Sequence, residues 1–548
     1  MNGAQILIEE LIKHGVDTVF GYPGGAVLNI YDELYKNSHR INHIISAHEQ
    51  GAVHAADGYA RVSGKTGVVI ATSGPGATNL VTGIANAYLD SVPLVAITGN
   101  VAVPLLGKDS FQEVDIVGIT QPIVKHNFVV RDINDLAATI KEAFYIASSG
   151  RKGPVLIDIT KTVQIAECEY SDTPIEVKSY HTKPENDYSA ALSVIKESKK
   201  PYIYCGGGVI ASEAQKEVLE LSKRLSAPIG LSMMGLTAIP NSYELNLGMC
   251  GMHGKYSASK AQSEADLLIA VGVRFSDRAT GNINEYTKNC AVIHIDIDNA
   301  EIGKNVSSKI GLCGDVKEIL TNLLNSIEPF KNQSWLDEIS EFKKSDLVKK
   351  NDDFTPQNII SVINSFAGTD TVIATDVGQH QMWVMQHYRF EKPRTLVTSG
   401  GLGTMGFGMG AAIGGCIGNG KKRTVLFTSD GSFGMNLNEL ATAVSQNLPL
   451  LIVILNNGVL GMVRQWQKMF FEKRYSQTTL ARKTNFPMLA KAFGADGYTA
   501  ESIEDLTAIL KNNLRDDRPC VIDCKIDMDE NVLPMIPPGG SINNVVLE

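Results

Sequence analysis

An acidic and an amide side chain follow two neighbouring apolar runs in the last third of the chain. Asp430 comes after the run 425–427, and Asn457, 27 positions later, comes after the run 451–455. At the ends of neighbouring parallel strands these side chains converge, and their oxygens suit Mg²⁺, which keeps open positions for phosphate oxygens. The structural alternative is that Asp430 caps a helix and Asn457 shapes a turn.

Glycine-rich segments surround this pair. They lie at 376–381, 399–406 and 429–432, each near the end of a predicted strand. Backbone N–H groups in such loops, and at the helix N-termini that follow them, bind diphosphate groups. Together with Asp430 and Asn457, the loops favour a metal–diphosphate site over the structural alternative.

The elements that position these residues follow from the glycine pattern. The 50 glycines cluster where short apolar runs end. Continuous apolar runs are typical of strands covered on both faces, and segments with helical spacing, such as 213–225, separate them. This alternation predicts an α/β fold made of doubly wound domains with mostly parallel sheets, which bind ligands at the carboxyl ends of their strands.

Two charged, polar stretches interrupt the alternation, at about 165–190 and 328–356, and are interpreted as linkers. A length of 548 residues agrees with several domains at about 150 residues each. We predict three α/β domains and a tail, at 1–165, 190–330, 355–525 and 526–548.

Composition excludes several classes of protein. A formal charge of −9, with 20% charged and 44% hydrophobic residues, argues against a nucleic-acid binder. No apolar stretch is long enough to span a membrane, and the N-terminus lacks the pattern of a leader, so a cytoplasmic location is predicted. The eight cysteines show no zinc-like spacing, and we expect them to be reduced and buried.

The segment from Asp430 to Asn457 resembles the thiamine diphosphate (ThDP) binding motif, an acidic–glycine step followed by a double asparagine. The resemblance implies that both side chains bind the cation and that Val459 offers its backbone carbonyl. The motif usually has glycine before the aspartate, and this chain has Ser429 there. A serine must tolerate a backbone conformation and close approach that glycine permits freely.

The segment 46–52 resembles the part of the same family that carries its catalytic glutamate, here Glu49. The resemblance implies that this carboxyl group hydrogen-bonds N1′ of the cofactor's aminopyrimidine and favours the imino tautomer, which removes the C2 proton of the thiazolium. Taken alone, a glutamate in this polar setting is an ordinary surface residue.

Further segments resemble one branch, the catalytic subunits of acetohydroxyacid synthase (acetolactate synthase). They are 20–26, 57–61, 72–79, 111–113, 125–127, 378–383, 461–467 and 534–539, and the resemblance covers nearly the whole chain. It implies that pyruvate is decarboxylated on ThDP and that the hydroxyethyl unit is joined to a second 2-oxo acid. Pyruvate as acceptor gives 2-acetolactate and 2-oxobutyrate gives 2-aceto-2-hydroxybutyrate, the first common step of branched-chain amino acid biosynthesis.

The resemblance also implies roles for individual residues. The catalytic set comprises Glu49, Gly25, Phe111, Gln112 and Lys161, with Gly24 beside them. The other ThDP contacts are Pro23, Gly76, Asn79, Gln379, His380, Gly403, Met405, Asp430, Gly431, Ser432, Asn457, Gly461 and Met462, and Trp466 and Met462 would set the acceptor preference. The structural alternatives are core packing for Phe111, an exposed helix-end lysine for Lys161, and a core or interface tryptophan for Trp466.

The middle domain resembles the family's FAD-binding segments, where the flavin has no redox role in the net reaction. The implied contacts are Arg151, Gly206, Gly207, His253, Gly272, Arg274, Asp277, Arg278, Asp296, Asp298 and Asp315. The middle domain lacks a GxGxxG motif, and Ser276 stands where the family usually has aspartate. Non-biosynthetic acetolactate synthases do without the flavin, so this cofactor rests on the resemblance alone.

Other readings remain open at this point. A ThDP/FAD pyruvate oxidase or another 2-oxo acid decarboxylase would share the scaffold. A non-catalytic paralogue would be expected to lack Glu49, Asp430 or Asn457, and the sequence has all three. The resemblance implies a homodimer or homotetramer with the cofactor between subunits, and it leaves open a small regulatory subunit; no nucleic acid or membrane partner is expected.

Overall fold

The structure, a computed structural model, describes residues 1–171, 185–346 and 353–547. In these ranges the chain forms three six-stranded sheets, and every described strand pair in them is parallel. Helices connect the strands, which confirms the predicted α/β fold of doubly wound domains. Parts of both predicted linkers, 172–184 and 347–352, lie outside the described residues, and the domain boundaries stay a prediction.

The described ranges contain 18 strands and 24 α-helices. The strands are β1 (Thr18–Gly21), β2 (Asn42–Ile45), β3 (Gly67–Ala71), β4 (Leu94–Asn100), β5 (His126–Val130), β6 (Pro154–Thr160), β7 (Pro201–Cys205), β8 (Ile229–Leu231), β9 (Asn246–Met249), β10 (Leu267–Val271), β11 (Ala291–Asp296), β12 (Ile310–Cys313), β13 (Val372–Thr375), β14 (Leu396–Val397), β15 (Thr424–Thr428), β16 (Leu450–Asn456), β17 (Asp496–Ala500) and β18 (Cys520–Lys525). The helices are α1 (Gly3–Lys13), α2 (Leu28–Lys36), α3 (Glu49–Ser63), α4 (Pro75–Thr78), α5 (Val81–Leu89), α6 (Ile116–Thr120), α7 (Ile133–Ser148), α8 (Lys161–Ile165), α9 (Tyr188–Glu197), α10 (Gly207–Ala211), α11 (Gln215–Leu225), α12 (Tyr256–Glu264), α13 (Asp277–Thr280), α14 (Ile283–Tyr286), α15 (Val316–Leu324), α16 (Gln333–Lys344), α17 (Pro356–Phe366), α18 (Gln379–His387), α19 (Phe407–Gly418), α20 (Asp430–Asn436), α21 (Leu440–Ser445), α22 (Gly461–Phe470), α23 (Phe486–Phe493) and α24 (Ile503–Asn512).

Each sheet has a point where the chain order of its strands reverses. The strand orders are β2-β1-β3-β4-β6-β5, β12-β11-β10-β7-β8-β9 and β14-β13-β15-β16-β18-β17. The reversals therefore lie between β1 and β3, between β7 and β10, and between β13 and β15. Open α/β sheets bind ligands at the carboxyl ends of the strands beside such a switch point, and the glycine loops of this chain follow these strands.

Strand register brings the predicted metal ligands to one edge of the third sheet. Strands β15 and β16 pair in parallel, with Thr428 opposite Ile454. Asp430 lies two residues beyond the end of β15, and Asn457 lies one residue beyond the end of β16. Because parallel strands end at the same edge, both side chains leave the sheet on that side.

The described residues form two compact units. The first comprises 1–171, 371–380 and 397–528 and holds the core strands of the first and third sheets; the second comprises 185–346, 353–370, 381–396 and 529–547 and holds the central sheet. The described residues of the predicted tail are thus divided between the units, since 526–528 belong to the first and 529–547 to the second.

Helices α3 and α19 pack against each other at backbone distance inside the first unit. A Cβ atom at Gly414 would lie 1.8 Å from the carbonyl oxygen of Ala55, and one at Gly58 would lie 2.2 Å from that of Ala411. Only glycine fits such an approach, because any larger residue would overlap the opposite backbone. Helix α3, which begins at Glu49, therefore packs directly on α19, a helix that covers the third sheet.

The cysteines are free and mostly buried, as the sequence predicts. All eight cysteines are free, five of them are buried, and Cys168, Cys290 and Cys313 are half-buried. Among the described residues, no helix is both long and apolar enough to cross a bilayer.

Candidate active site

Glu49 is the first residue of α3, the helix that follows β2, and its carboxylate reaches the loop after β3, which borders the switch point of the first sheet. Its Oε2 atom accepts a hydrogen bond of 2.9 Å from Asn79 Nδ2, beyond the glycine loop that follows β3. Its Oε1 atom faces that loop, since a Cβ atom at Gly76 would lie 3.3 Å from it. The structure thus brings three predicted cofactor residues together around one carboxylate.

The loop after β1, which contains Pro23, packs against the loop after β3. A Cβ atom at Gly24 would lie 2.5 Å from Thr72 Cβ, and Ala26 N donates to Thr72 Oγ1 at 3.2 Å. A Cβ atom at Gly25 would meet no described atom within 4 Å. Gly24 is therefore required for packing, whereas Gly25 borders open space in which a substrate can be accommodated.

Gln112 reaches the same place from the loop between β4 and α6. Its carbonyl oxygen would lie 2.8 Å from a Cβ atom at Gly74. Glu113 closes this loop by accepting hydrogen bonds from Gly107 N at 2.5 Å and Ser110 N at 2.9 Å. Those backbone donors lower the pKa of Glu113, so the carboxylate that shapes the loop stays charged.

Phe111 and Lys161 are both exposed. Phe111 has 87% of its surface accessible, so the structural alternative of core packing is wrong for this chain. Lys161 opens α8 directly after β6, as an exposed helix-end lysine would. No hydrogen bond among the described residues joins Lys161 to Glu49, and its catalytic role stays a prediction.

Asp430 is the first residue of α20, and Ser429 before it is the N-cap, with its hydroxyl accepting from Ser432 N at 3.3 Å. Ser429 has φ −125° and ψ 165°, ordinary extended backbone, so the sequence departure from glycine carries no conformational strain. The alternative that Asp430 itself is the helix cap is wrong.

Asp430 is buried, and burial followed by the charge of Asp523 raises its pKa to about 6. Its Oδ1 atom is buried and has no hydrogen-bond partner among the described residues. A buried carboxylate oxygen without a partner is costly unless a cation or a donor satisfies it. The site therefore fits a divalent cation held by oxygen ligands.

Asn457 and Gln379 form a buried pair at the neighbouring strand end. Asn457 Nδ2 donates to Gln379 Oε1 at 3.3 Å, while Asn457 Oδ1 accepts from Val459 N at 3.2 Å. Gly461 packs directly against this pair, because a Cβ atom there would lie 1.9 Å from Gln379 Oε1. Within the described ranges no cluster of three or more His, Cys, Asp or Glu residues could hold a metal, and the predicted ligand set stays a prediction.

His380 lies in the first turn of α18, beside the switch point of the third sheet. Burial lowers its pKa to about 3, so the ring is neutral at physiological pH. In the described part of the chain its Nε2 atom is buried without a hydrogen-bond partner. A neutral ring can present an N–H group there to a phosphate oxygen, which suits the predicted diphosphate contact.

Met405 and Gly431 lie beside each other, since a Cβ atom at Gly431 would be 3.9 Å from Met405 Cε. Gly403, in the same loop as Met405, has φ +69°, a conformation that favours glycine. Ser432 is buried and donates to the carbonyl oxygen of Val377 at 3.0 Å, which ties α20 to the loop after β13.

Sequence reasoning missed Asp376, although it stands at the start of a predicted glycine loop. Its carboxylate is buried and accepts from Gly406 N at 2.8 Å, Gly408 N at 3.0 Å and Thr428 Oγ1 at 2.9 Å. Asp376 thereby fixes the loop of Met405 to the ends of β13 and β15. Its place after a buried strand was the signal that could have found it.

A second missed residue is Asp90, in the first domain. Its carboxylate accepts from Gly400 N at 3.0 Å and Gly401 N at 2.7 Å, and it forms an ion pair of 2.9 Å with Arg61. Arg61 also pairs with Asp57, so two charges of α3 belong to the same buried group. This group connects the helix of Glu49 to the glycine loop 399–406.

Met462 and Trp466 lie one turn apart on α22 and are half-buried. Trp466 stacks edge-on with Phe470, at 5.7 Å between ring centroids. Gly461 at the start of this helix packs on Gln379, so the helix begins beside the predicted diphosphate residues. This placement agrees with a role near the substrate, which stays a prediction.

Three glycines of the predicted flavin set lie at the switch point of the central sheet. Gly206 after β7 and Gly272 after β10 touch, since a Cβ atom at Gly206 would lie 2.0 Å from the carbonyl oxygen of Gly272. Gly207 begins α10 directly after them. Burial lowers the pKa of His253 to about 4, and its Nδ1 atom has no partner among the described residues.

The acidic members of the flavin set differ in how they are used. Asp296 is buried at the end of β11 and accepts from Asp298 N at 2.9 Å. Asp315 caps α15 by accepting from Lys317 N at 2.9 Å, and it also accepts from Ser212. Asp315 is therefore a structural cap in this chain, whatever further contact it makes.

The other flavin residues are more dispersed. The side chains of Asp277 and Arg278 are mostly exposed, and the carbonyl oxygen of Arg274 accepts from Asn305. Arg151 belongs to the first compact unit, where its Nε atom donates to Ser91 Oγ at 2.9 Å. Gly206, Gly207, Gly272 and His253 thus belong to the second unit. That this set of residues binds FAD stays a prediction.

Comparison with known proteins agrees with this geometry. Three families match: "Thiamine pyrophosphate enzyme, N-terminal TPP binding domain" over residues 1–119, "Thiamine pyrophosphate enzyme, central domain" over 188–323, and "Thiamine pyrophosphate enzyme, C-terminal TPP binding domain" over 376–524. The first two matches contain the switch points of the first and central sheets, and the third match begins directly after β13.

Similar full-length relatives carry one name. The chain is 44% identical to the acetolactate synthase large subunit of Porphyra purpurea, covering 98% of this chain and 94% of that protein. It is 43% identical to the acetolactate synthase isozyme 2 large subunit of Escherichia coli (strain K12), over the whole of both chains. It is 44% identical to the acetolactate synthase large subunit of Corynebacterium glutamicum, covering all of this chain and 90% of that protein. The chain therefore belongs to the acetolactate synthase large-subunit family of thiamine diphosphate enzymes.

Proposed function

We propose that the chain decarboxylates pyruvate and joins the remaining hydroxyethyl unit to a second 2-oxo acid, pyruvate or 2-oxobutyrate. The products are 2-acetolactate and 2-aceto-2-hydroxybutyrate. The observation that carries the proposal is the Glu49 carboxylate at a switch point, held by Asn79 and facing the loop of Gly76. The names of the full-length relatives support the same reaction.

Bound ThDP supplies a carbon nucleophile and an electron sink for the decarboxylation. Oε1 of Glu49 would exchange a proton with the pyrimidine ring of the bound cofactor, while the hydrogen bond from Asn79 fixes the position of Oε2. A carboxyl group in this position performs general acid–base work only if its direction is fixed, and the hydrogen bond of 2.9 Å supplies that constraint.

Asp430, Asn457 and the Val459 carbonyl would hold Mg²⁺. The partnerless Oδ1 atom of Asp430 supports this assignment, since a cation supplies what the protein lacks there. His380 Nε2 and Gln379 would bind the diphosphate from the start of α18. Met405, next to Gly431, would contact the bound cofactor.

Substrate would enter beside Gly25, where the described chain leaves open space. Gln112, against the loop of Gly74, and the exposed Phe111 would face the reacting groups. Lys161 would lie at the entrance, and Trp466 with Met462 would favour 2-oxobutyrate as acceptor.

FAD would bind the second unit in a non-redox role. The buried Nδ1 atom of His253, which has no hydrogen-bond partner among the described residues, supports a bound ligand in this unit. Asp296 at the end of β11 is placed where ribose hydroxyls are bound in related folds.

We also propose a homodimer or homotetramer. Phe111 and Tyr35 expose 87% and 80% of their surfaces, which is costly for aromatic side chains in water and expected of residues that a second copy covers. The name "large subunit" of the relatives supports a small regulatory partner. A cytoplasmic location stays a prediction.

The experiment is a product assay under nitrogen with purified protein and pyruvate, with ThDP and Mg²⁺ each added or withheld. Formation of 2-acetolactate that needs both additions supports the proposal. Acetyl phosphate formed with oxygen uptake would assign a pyruvate oxidase instead, and free acetaldehyde a simple decarboxylase. The flavin spectrum of the same sample tests the FAD assignment separately.

A further inference from the structure

Glu439 is a buried carboxylate from the C-terminal part of the first unit that reaches the start of α3. It is 1% exposed and lies at the end of a short 3₁₀ turn, residues 437–439, directly before α21. Its oxygens accept from Ala47 N at 3.2 Å and His48 N at 2.9 Å. Thr442 Oγ1 donates a third hydrogen bond at 2.7 Å.

The two backbone donors stand immediately before Glu49, the first residue of α3. The beginning of a helix leaves N–H groups that its own turns cannot pair. His48 caps one of them, because its Nδ1 atom accepts from Gln50 N at 3.1 Å. Glu439 accepts from the N–H groups of Ala47 and His48, which precede the helix. It does so across 392 positions of sequence from Ala47.

Burial alone raises the pKa of Glu439, and its three hydrogen bonds oppose that shift because each favours the charged form. A carboxylate offers acceptors to all three donors at once. A glutamine of the same shape would turn an NH₂ group toward one of them. The contact is therefore specific to an acid at this position.

Gly51 shows how closely the carboxylate is fitted to the helix. A Cβ atom at Gly51 would lie 2.0 Å from Glu439 Oε1 and 2.3 Å from its carboxyl carbon. On the opposite side, a Cβ atom at Gly410 of α19 would lie 2.6 Å from the Gly51 carbonyl oxygen. Gly51, in the first turn of α3, thus lies between Glu439 and α19 with no room for a side chain.

We propose that Glu439 is a positioning residue for Glu49. It touches neither substrate nor cofactor in this role; it fixes the backbone of residues 47–48 and so the direction in which the Glu49 carboxylate leaves the helix. The inference rests on the proposed role of Glu49 in proton transfer. Its test must therefore separate displacement of Glu49 from failure of that role.

The experiment compares Glu439→Gln and Glu49→Gln with the unchanged protein, each loaded with ThDP and Mg²⁺. Three quantities are measured: exchange of the cofactor's C2 hydrogen for deuterium by quenched-flow NMR, ThDP affinity by tryptophan fluorescence, and the melting temperature. The matched control is Glu10→Gln, since Glu10 is also fully buried and accepts from Tyr170 at 2.5 Å, but lies on α1.

If Glu439 positions Glu49, Glu439→Gln slows C2 exchange by about tenfold or more, as expected when a reacting group is displaced. ThDP affinity changes by less than about threefold, because the diphosphate and metal residues are untouched. Glu10→Gln lowers the melting temperature without slowing exchange. Exchange within about twofold of the unchanged protein, or equal slowing by Glu10→Gln, overturns the proposal.

A double-mutant cycle keeps the test informative if Glu439→Gln folds poorly. Gly51→Ala pushes the carboxylate away and should slow exchange by itself. In a Glu439→Ala background the overlap no longer exists, so adding Gly51→Ala should have a much smaller effect. Equal effects of Gly51→Ala in both backgrounds contradict the proposal. Full exchange in Glu49→Gln would instead overturn the role of Glu49, independently of Glu439.

Discussion

The Nδ2 atom of Asn79 lies 2.9 Å from Oε2 of Glu49, across 30 positions of sequence. Glu49 starts the helix that follows β2, and Asn79 lies beyond the loop that follows β3. The hydrogen bond therefore joins two separate connections of one sheet at the edge where its ligand site is expected. It leaves the second carboxylate oxygen facing Gly76.

Replacing Glu49 with glutamine should remove most acetolactate formation. An amide cannot exchange a proton with the cofactor ring, and general acid–base catalysis is typically worth about 10²–10⁴-fold in rate. Steady-state assays with pyruvate measure the loss. Binding of ThDP and Mg²⁺, followed by calorimetry, should be retained, and full activity in the variant would refute the assigned role.

Replacing Asp430 with asparagine should weaken Mg²⁺ binding, because the site loses the only charged ligand proposed for it. We expect the Mg²⁺ concentration for half-maximal activity to rise by about 100-fold or more, the result of losing roughly 3 kcal/mol of interaction. A Mg²⁺ titration of ThDP-dependent activity measures this. Asp505→Asn, at the exposed start of α24, is the control and should leave the titration unchanged.

Replacing Ser429 with glycine, the residue usual in the motif, should bring no gain in metal affinity. The extended backbone at Ser429 suits any residue, and its hydroxyl caps α20. Loss of that cap costs a few tenths of a kcal/mol, so stability should fall slightly while Mg²⁺ affinity stays within about threefold. Thermal melts and the same Mg²⁺ titration give both values; a large rise in affinity would show that the serine strains the site.

Asp158 should make stability depend on pH. It is buried on β6, accepts from Thr98 at 2.7 Å and Asn100 at 2.5 Å, and burial, aided by the charge of Asp115, raises its pKa to about 6. Between its usual pKa and about 6 the folded chain holds a proton that the unfolded chain has released. Stability from this group therefore falls as pH rises through that window.

Asp158→Asn removes the destabilisation caused by burying a charged carboxylate, because a neutral amide can hydrogen-bond both Thr98 and Asn100. At pH 7.5 we expect up to about 2 kcal/mol of added stability, equivalent to a few degrees in melting temperature. At pH 5 the gain should be much smaller. Scanning calorimetry at both pH values checks the difference, and an equal gain at both would mean that Asp158 is not the titrating group.

Replacing Trp466 with leucine should lower the preference for 2-oxobutyrate and leave acetolactate formation from pyruvate largely intact. The expected change in the product ratio is about tenfold, in line with the 1–3 kcal/mol that pocket contacts contribute to discrimination. Competition assays with both 2-oxo acids measure it. Val463→Ala, an exposed residue of the same helix, should not change the ratio.

The parts of the fold that sequence predicts well are those governed by local pattern. Continuous apolar runs predicted the buried strands, as at β15 and β16, because a strand covered on both faces must be apolar throughout. The glycine loops predicted where ligand sites would lie, since they follow the strands that flank each switch point. Asp430 and Asn457 were found for the same reason.

The parts that sequence did not reveal depend on contacts between distant segments. Glu439 and Ala47 are separated by 392 positions, and Asp90 and Gly401 by 311. No local period connects such pairs, because they form only when the first and third sheets share one unit. The cost attributed to Ser429 was likewise absent, since only the dihedral angles show that its backbone is ordinary.

Asp90 and Glu439 connect the N-terminal and C-terminal parts of the first unit in reciprocal fashion, because each part supplies one carboxylate and one pair of backbone donors. Asp90 from the first sheet's side receives N–H groups of Gly400 and Gly401, and Glu439 from the third sheet's side receives those of Ala47 and His48. A chimera that takes one segment from a homologue therefore inherits a donor or acceptor whose counterpart stays in the host. Recombination of this enzyme should succeed when both pairs travel together, and crossover points that split them should give folded but catalytically poor hybrids.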